Sequence, residues 1–427
     1  MVARLRTTST ATRIAAALAV LLALAGCGAA LKGGSSAHAS VSLADESCPE
    51  AVLSTLSSVL QRTYREGVSS ERTASAEAMV EGSPALRKAV EEGNAGAARQ
   101  AAKALLATGH MTDIEVIKGA RTLVSVGGPA LSPLHGALKN AAGATIATYI
   151  LSVWADNGFA SEGSGLAEGL VDLRAGGRSI AGSAQLPSGT LATQGTLSRH
   201  EVDYQYTSFT AQAYPSGGPV QVYLLKPLSD VQALCGTSTE DTIVNTLTHV
   251  ANLIYEGEAG SRTHVQVERV QHDRALRLAV SHHDAPATRA AIIGLLNHHI
   301  VRLRVSDTKG LLSDVGGPYV LAPVTAKLHA NGRPIGNFVL SIQDDEGYLR
   351  LTHRLAGLDV LMYMSSTRPS SHGQVLVKNS LGPEPGNVPA SGPYSYRGKG
   401  FRVITVHAKA FPSGPLTIRV LIPTPYS

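Results

Sequence analysis

The residues best suited to metal chemistry lie in the second half of the chain, on a predicted helical hairpin. Imidazole is a good ligand for transition metals, and two His-His pairs on neighbouring helices could hold one. The alternative is a set of solvated helix ends, where a cationic side chain interacts favourably with the helix dipole. We expect helix ends and no metal cofactor. The side chains concerned are His272, His282, His283, His298 and His299, beside Asp273 and Asp284.

A second cluster could bind an anion. Arg350 and Arg354 are four residues apart, so on a helix they would share one face. Tyr348 and His353 add two further hydrogen-bonding groups within the same seven residues. Arginine forms strong charge-assisted hydrogen bonds to carboxylates. We therefore expect these four residues to bind a small metabolite, for instance a carboxylate; the alternative is ordinary surface charge.

Several catalytic signatures are missing from the sequence. It contains no GxSxG nucleophile elbow, no HExxH zinc motif and no GxxxxGK[S/T] phosphate-binding loop. It also contains no cofactor-binding motif. We expect a protein without catalytic activity and without a cofactor.

The N-terminus has the order of a secretory signal. Arg4, Arg6 and Arg13 precede an apolar run of about eleven residues, which is too short to span a bilayer that needs ~20. The string Leu24-Ala25-Gly26-Cys27 follows and resembles the lipobox of bacterial lipoproteins. That resemblance implies that residues 1–26 are removed and that Cys27 is lipidated at the outer face of the cell membrane. The alternative is an ordinary signal peptide with a chance cysteine. Residues 27–45 are small and polar, typical of a flexible tether.

Two cysteines remain after Cys27. Cys48 and Cys235 are an even pair in an oxidising compartment, which favours a disulfide between them. The alternative is two unrelated thiols.

Composition narrows the class of protein. Only 16% of residues are charged and 44% are hydrophobic, as expected for a packed globular body. Three arginines of the signal contribute to the formal charge of +5, so the mature chain carries about +2. Such a small excess does not predict a nucleic-acid partner.

The sequence repeats itself at a spacing of about 190 residues. ALRKAV returns as ALRLAV, SVGGPALSP as DVGGPYVLAP, ATYILSVWADNGF as GNFVLSIQDDEGY, and AQAYPSG as AKAFPSG. Gly127 and Ser152 thereby align with Gly316 and Ser341. These matches keep the same order along the chain. They predict two copies of one module, at 46–230 and 231–427.

Each module has the same predicted elements. Helical periodicity comes first, followed by hairpins such as IEVIKGARTLVSV, whose residues alternate around a glycine turn. A short helix is predicted over 166–173, before further strands. The pattern indicates an α+β fold in which an N-terminal helical segment packs on an antiparallel sheet of about five strands.

This order, together with DVGGP, the Asn331-Gly332 turn and VLSIQDDEGY, resembles the Cache (PDC) class of extracytoplasmic PAS-like sensor domains. The resemblance covers both modules. It implies a long helix beside a central antiparallel sheet, with a small-molecule pocket between the sheet and its covering loops. Cache sensors normally sit between transmembrane helices, which this sequence does not predict, and the Tyr/Arg/Trp/Tyr constellation of amino-acid-binding members is missing.

Two functions follow from these expectations. The first is a lipid-anchored small-molecule-binding sensor or accessory protein, with a signalling or transport protein in the membrane as partner. The second is a structural or interaction lipoprotein of the envelope, whose PAS-like modules bind other proteins.

Overall fold

The computed structural model describes residues 47–108, 111–184, 186–257, 261–317, 320–365, 374–411 and 414–424. Helices and antiparallel strands make up both halves, which confirms the α+β class. Residues 1–26, the tether 27–45 and Cys27 lie outside the described residues, so the signal, tether and lipidation site stay predictions. Within the described part of the chain, no helix combines the length and apolarity needed to cross a bilayer.

The first half opens with four helices, each preceded by a residue of the type that caps helix N-termini. Glu50 accepts a hydrogen bond of 3.0 Å from the Ser47 N–H before the first helix. Ser83 accepts one of 3.2 Å from the Leu86 N–H at the start of the third. Such caps satisfy groups that have no partner within the helix. The helices are α1 (Cys48–Ser69), α2 (Glu71–Gly82), α3 (Pro84–Glu91) and α4 (Ala95–Leu106).

Strands and one helix complete the first half. The predicted hairpin IEVIKGARTLVSV is confirmed as the first two strands, which turn at Gly119 with φ of 64°. The elements are β1 (Asp113–Lys118), β2 (Arg121–Gly127), β3 (Ala130–Leu131), β4 (Leu134–Lys139), β5 (Thr145–Ser152), β6 (Trp154–Ala155), α5 (Asp156–Ala167), β7 (Leu170–Ala175), β8 (Arg178–Gly182), β9 (Gln194–Arg199), β10 (Val202–Gln212) and β11 (Pro219–Pro227).

The prediction of a helix over 166–173 is wrong. Helix α5 ends at Ala167, because Glu168 takes a left-handed φ of 46°. Residues 170–175 form β7 instead. A short apolar run such as LVDLRA fits both the helical and the strand period, and neighbouring strands decide between them.

The second half has a similar order of elements. It contains α6 (Leu228–Ala233), α7 (Thr239–Gly257), α8 (Ser261–His272), α9 (Arg274–Ser281), α10 (Ala285–Leu296), β12 (Arg302–Asp307), β13 (Gly310–Gly316), β14 (Val320–Leu321), β15 (Val324–Ala330), β16 (Arg333–Ser341), β17 (Gln343–Asp344), α11 (Asp345–Leu351), a π-helical turn (Thr352–Ala356), β18 (Asp359–Ser365), β19 (Gln374–Asn379), β20 (Gly392–Tyr396), β21 (Lys399–Phe411) and β22 (Gly414–Pro423).

Each half forms a smaller and a larger antiparallel sheet with one strand order. The smaller sheets run β2-β1-β5-β4 and β13-β12-β16-β15. The larger sheets run β8-β7-β11-β10-β9 and β19-β18-β22-β21-β20, the second extended by β14 and β17. In each of these four strand orders, the strands that come first and last along the chain are hydrogen-bonded neighbours: β1 and β5, β12 and β16, β7 and β11, and β18 and β22. The expected single sheet of about five strands per module is therefore wrong: a helix (α5 or α11) interrupts the strands, and those after it form a second sheet.

The hydrophobic core joins the two halves. Helices α2 to α4 pack on the first smaller sheet, and α8 to α10 pack on the second. A larger cluster gathers side chains from α1, α5, α7, α11 and both larger sheets, including Leu56, Phe159, Val250, Tyr348 and Ile418. The two long helices thus lie within one shared core.

A disulfide connects Cys48 with Cys235, as the sequence predicts. The two Cα atoms are 5.6 Å apart and 187 residues apart in sequence. It ties the first residue of α1 to the segment between α6 and α7. In the chain-entropy account, closing so long a loop stabilises the fold by about 5 kcal/mol.

The aligned serines have the same local structure. Ser152 ends β5 and donates its buried hydroxyl to the Leu131 carbonyl. Ser341 ends β16 and donates in the same way to the Leu321 carbonyl. Each hydroxyl also accepts from the N–H two residues later, at 3.1 Å and 3.3 Å respectively.

Two tyrosines also correspond. Tyr64, near the end of α1, accepts a hydrogen bond of 2.9 Å from the Gln212 N–H of β10. Tyr255, near the end of α7, accepts one of 3.1 Å from the Lys409 N–H of β21. Each long helix is thus held to its own larger sheet by the same kind of contact.

Candidate functional site

Tyr348 lies inside the shared core. Its side chain is buried, and its hydroxyl donates to the Ala251 carbonyl of α7 at 3.2 Å. The ring meets Tyr255 edge to face, with ring centres 5.9 Å apart. Burial raises the pKa of Tyr348 well above its usual range. These contacts pack α11 against α7.

Of the other three residues of the predicted anion site, one is exposed and two contact different neighbours. Arg350 is exposed. The His353 ring lies 3.4 Å from the Asp359 carboxylate, and Arg354 pairs with Glu66 of α1. The predicted shared helix face does not form, because the α-helix ends at Leu351 and continues as a π-helical turn with a wider repeat. The four side chains do not converge on one site.

The histidines lie at helix ends and make local contacts. His272 bonds the Glu268 carbonyl at 2.7 Å, and His283 bonds Asp307. Asp273 and Asp284 cap α9 and α10, accepting from backbone N–H groups at 2.6 Å and 2.9 Å. Over the described ranges, no three His, Cys, Asp or Glu side chains are grouped as a metal would require.

A different set of buried polar groups lies on the first larger sheet. Because side chains alternate along a strand, Val171 and Leu173 of β7 face the shared core while Asp172 and Arg174 face the other side. Tyr223 of β11 lies on that same side, in a separate cluster. We call this side, beneath the described residues of the segment 183–193, the covered face.

The segment is fastened to the covered face by hydrogen bonds to its carbonyls. Arg174 donates through Nη2 to Pro187 at 2.6 Å and to Gly177, in the β7–β8 turn, at 2.6 Å. Tyr223 donates its hydroxyl to Leu191 at 3.1 Å. Arg199 donates to the Ala184 carbonyl.

Asp172 and Arg174 keep polar atoms without partners. Their side chains are 0% and 3% exposed. Asp172 Oδ1 accepts from the Ser179 hydroxyl at 2.6 Å, but Oδ2 has no hydrogen-bond partner, nor have Nε and Nη1 of Arg174. Oδ2 and Nε lie 3.9 Å apart, so the two side chains form a buried ion pair, but the distance is too long for a hydrogen bond.

The electrostatics of this pair reflect its burial. Burial raises the pKa of Asp172, against the opposing effects of the Ser179 hydroxyl and of the Arg174 and Arg199 guanidinium groups. The Arg174 guanidinium also lies 5.9 Å from the ring centre of Tyr223, within the range of a cation–π contact. The arrangement contains no nucleophile beside a base.

The second half also has an arginine and a tyrosine at these two positions. Each residue type, however, lies on the strand that carries the other type in the first half. The pairing registers align Arg174 with Tyr363 and Tyr223 with Arg419. The Arg419 guanidinium lies 4.2 Å from the Tyr363 ring centre, donates to the Val388 carbonyl of the covering segment 380–391, and leaves its Nε without a partner.

The two covered faces differ in polarity. The position of Asp172 is taken by the fully buried Leu361 in the second half. Val388 and Phe401 complete an apolar cluster around it. The buried acid is therefore a feature of the first half alone.

The sequence gives one signal for this site, namely the alternation in LVDLRA that places an acid and a base on one strand face. Comparison with protein-family models, with curated proteins and with solved structures finds no match for this chain.

Proposed function

We propose that this chain is a lipid-anchored, extracytoplasmic small-molecule-binding protein, a sensor or accessory protein built of two Cache-like modules and without catalytic activity. The observation that carries the proposal is the covered face of the first half. There, Asp172 and Arg174 are buried with unpartnered polar atoms beneath a fastened segment.

Energetics supports a binding role for these atoms. A buried polar group without a partner costs about 1–3 kcal/mol, and more when it is charged. A folded protein that keeps several such atoms together calls for an explanation, and a bound molecule that supplies the missing partners is one. The position also agrees with the Cache resemblance, which implies a pocket between a sheet and its covering loops.

The duplication is supported by several independent positions. The strand orders recur, Ser152 and Ser341 make the same contacts, and Tyr64 and Tyr255 fasten the long helices alike. The exchanged arginine–tyrosine pair adds a further correspondence. Two copies of an ancestral module explain all of these.

Localisation rests on the N-terminal sequence. We propose that Cys27 carries the lipid and that residues 27–45 link it to the folded part. The disulfide between Cys48 and Cys235 is compatible with an oxidising compartment outside the cytoplasm. A ligand signal would then pass to a signalling or transport protein in the same membrane.

One observation favours the second candidate, an interaction lipoprotein. Leu278, Ile293 and Leu311 are exposed by 57%, 49% and 60%. The aligned positions of the first half hold Lys88, Lys103 and Thr122. Helix α10 packs beside both α9 and β13, and exposed apolar side chains that form a contiguous patch mark protein contact surfaces.

A thermal-shift screen tests the proposal. The full chain, purified in detergent micelles, is melted with a metabolite library; a compound at 100 times its Kd adds ~2.7 kcal/mol to the unfolding free energy. At least one compound should stabilise the protein, and Arg174→Met should abolish the shift. The matched control is Arg178→Met, an exposed residue on the neighbouring strand β8. A library without hits, or hits insensitive to Arg174→Met, would contradict binding at this face.

A further inference from the structure

The outer sides of helices α8, α9 and α10 carry the same two kinds of side chain on every helix. We call these sides, which point away from the smaller sheet of the second half, the second helical face. We propose that this face docks on the surface of a lipid bilayer that contains anionic phospholipids. It rests on the proposed function only for the lipid anchor, which would bring such a bilayer close.

The three helices form one layer on the sheet. Val270 of α8, Leu276 of α9 and Ile292 of α10 are buried in one cluster together with residues of β12, β15 and β16. A helix turns by about 100° per residue, so the side chains opposite these buried ones point away from the sheet. The second helical face therefore belongs to a single side of the layer.

Each helix has one exposed aliphatic side chain on this face. Val265, Leu278 and Ile293 are exposed by 53%, 57% and 49% respectively. A single exposed aliphatic residue is ordinary on a protein surface. What distinguishes these three is the residue type beside each of them.

An exposed arginine lies four residues from each aliphatic side chain. The three pairs are Val265 with Arg269, Arg274 with Leu278, and Arg289 with Ile293. Residues four apart are neighbours on the surface of a helix. Each of the three helices therefore presents an apolar and a cationic side chain next to each other.

The acidic side chains of the layer are engaged locally. Asp273 and Asp284 cap α9 and α10, accepting from backbone N–H groups at 2.6 Å and 2.9 Å. Glu268 lies 3.4 Å from the ring of His264. Within the described part of the chain, none of the three arginines pairs with a carboxylate. The face therefore carries positive charge that an anionic surface would complement.

Helices α2 to α4 of the first half lack this arrangement. Glu91 of α3 takes the position of Ser281 in α9, so an acid lies where the second half has none. The fold thus forms without the aliphatic–arginine pairs. At the positions of those pairs the first half has Ser75 with Met79, Pro84 with Lys88, and Arg99 with Lys103.

A bilayer surface suits both kinds of side chain at once. Aliphatic side chains can enter the boundary between head groups and acyl chains, while arginines reach the phosphates on their long stems. So small a face binds weakly by itself. A short flexible link such as the one predicted over 27–45 would, however, hold it at an effective concentration on the order of millimolar. Docking would then fix the orientation of the folded part on the membrane.

Vesicle flotation of the chain without residues 1–27 tests this inference. That chain keeps every described residue and has no lipid, so its binding reports on the face and not on the anchor. Vesicles of equal parts phosphatidylcholine and phosphatidylglycerol should bind it, whereas vesicles of phosphatidylcholine alone should not. Binding should weaken as NaCl rises from about 0.1 M to about 1 M, because salt screens the charges.

The charge contribution has a matched control. Arg269→Gln combined with Arg274→Gln should weaken binding to the anionic vesicles about thirtyfold, since each arginine at such a surface contributes about fivefold. Lys88→Gln combined with Lys103→Gln removes the same charge from α3 and α4 and should leave binding unchanged. An equal loss in both double variants would overturn the inference, because it would mean attraction by the overall charge.

The apolar contribution is tested by Leu278→Gln combined with Ile293→Gln. This change should weaken binding about tenfold, because two side chains no longer enter the bilayer. The side chains are exposed, so thermal denaturation should give the melting temperature of the unaltered chain. Failure of the unaltered chain to bind anionic vesicles would overturn the inference. So would a dimer that this variant dissociates in sedimentation equilibrium, since the face would then contact a second copy. The anchor itself is tested separately, by Cys27→Ser.

Discussion

Arg354 of the second half forms an ion pair with Glu66 of α1. Its Nε and Nη2 lie 2.6 Å and 2.5 Å from the same carboxylate oxygen. The pair joins the π-helical turn of one half to the long helix of the other, beside the shared core. Arg354 therefore makes a contact between the halves, whereas the sequence predicts a ligand contact for it.

We expect Arg354→Ala and Glu66→Ala each to lower the free energy of unfolding by roughly 0.5–1 kcal/mol, since the arginine side chain is 41% exposed and solvent screens the pair. The double variant should lose little more than either single one, as measured by urea denaturation. Arg350→Ala, an exposed neighbour, is the control and should have no effect. Fully additive losses would show that the two side chains do not interact.

Removal of the disulfide should be the most destabilising of these changes. Cys48→Ser, Cys235→Ser and the double variant should each lose about 5 kcal/mol, because all three open the same loop. Reductant should destabilise the unaltered protein and leave the three variants unaffected in guanidinium denaturation. A larger loss in the double variant than in the single ones would mean that the cysteines act separately.

The aligned serines offer a test of the duplication. Ser152→Ala and Ser341→Ala each leave a buried carbonyl and a buried N–H without their partner, so each should cost about 1–3 kcal/mol. The two losses should agree within about 0.5 kcal/mol in urea denaturation if the sites are equivalent. Ser58→Ala, on the exposed side of α1, is the control. A loss at only one of the two serines would argue against equivalence.

Stability should depend on pH through Asp113. Burial raises the pKa of this carboxyl from 3.8 to about 6; Asp156 adds to the shift, and the Gly128 N–H opposes it. The folded chain then holds the proton more tightly than the unfolded chain, so the free energy of unfolding falls as pH rises from about 4 to about 6. This difference in proton affinity between the folded and unfolded chain corresponds to roughly 2–3 kcal/mol.

Asp113→Asn should remove this fall and be the more stable protein at pH 7, because the amide oxygen can still accept from the Gly128 N–H, now at 2.7 Å from Oδ2. Urea denaturation between pH 4 and pH 8 measures the difference. Glu115→Gln on the same strand is the control and should keep the slope. An unchanged slope in Asp113→Asn would assign the pH dependence to other groups.

Cys27→Ser tests the anchor. The thiol is the site of lipidation in the lipobox interpretation, so its loss should leave an unprocessed precursor or a protein released from the membrane. Detergent phase partitioning of cell extracts, with the exposed-site variant Ser58→Ala as the control, measures this. Recovery of the Cys27→Ser protein in the detergent phase at the native size would exclude lipidation at this residue.

Much of the fold follows from local patterns in the sequence. The β1–β2 hairpin depends on neighbouring residues, and this prediction is confirmed. The repeat depends on self-similarity along the chain and stays a prediction. The disulfide follows from the parity of the cysteines. Each of these features is specified within a few residues or by simple counting.

The candidate site could not be located in the same way. The stretch 166–173 contains the start of β7, and its apolar spacing fits a helix as well as a strand. Once it is read as a helix, Asp172 and Arg174 fall on different sides. Their meeting with Tyr223 depends on the register between β7 and β11, which no local pattern specifies.

The disulfide also decides how mechanical tension travels through the chain. Residues 49–234 lie inside the covalent loop that it closes, while the chain enters at Cys48 and leaves at Cys235. When force is applied between the segment before Ser47 and a residue beyond Cys235, the sulfur–sulfur bond transmits that force directly. Residues 49–234, which include the covered face, therefore lie outside the covalent path of the force and are shielded from stretching as long as the bond is intact.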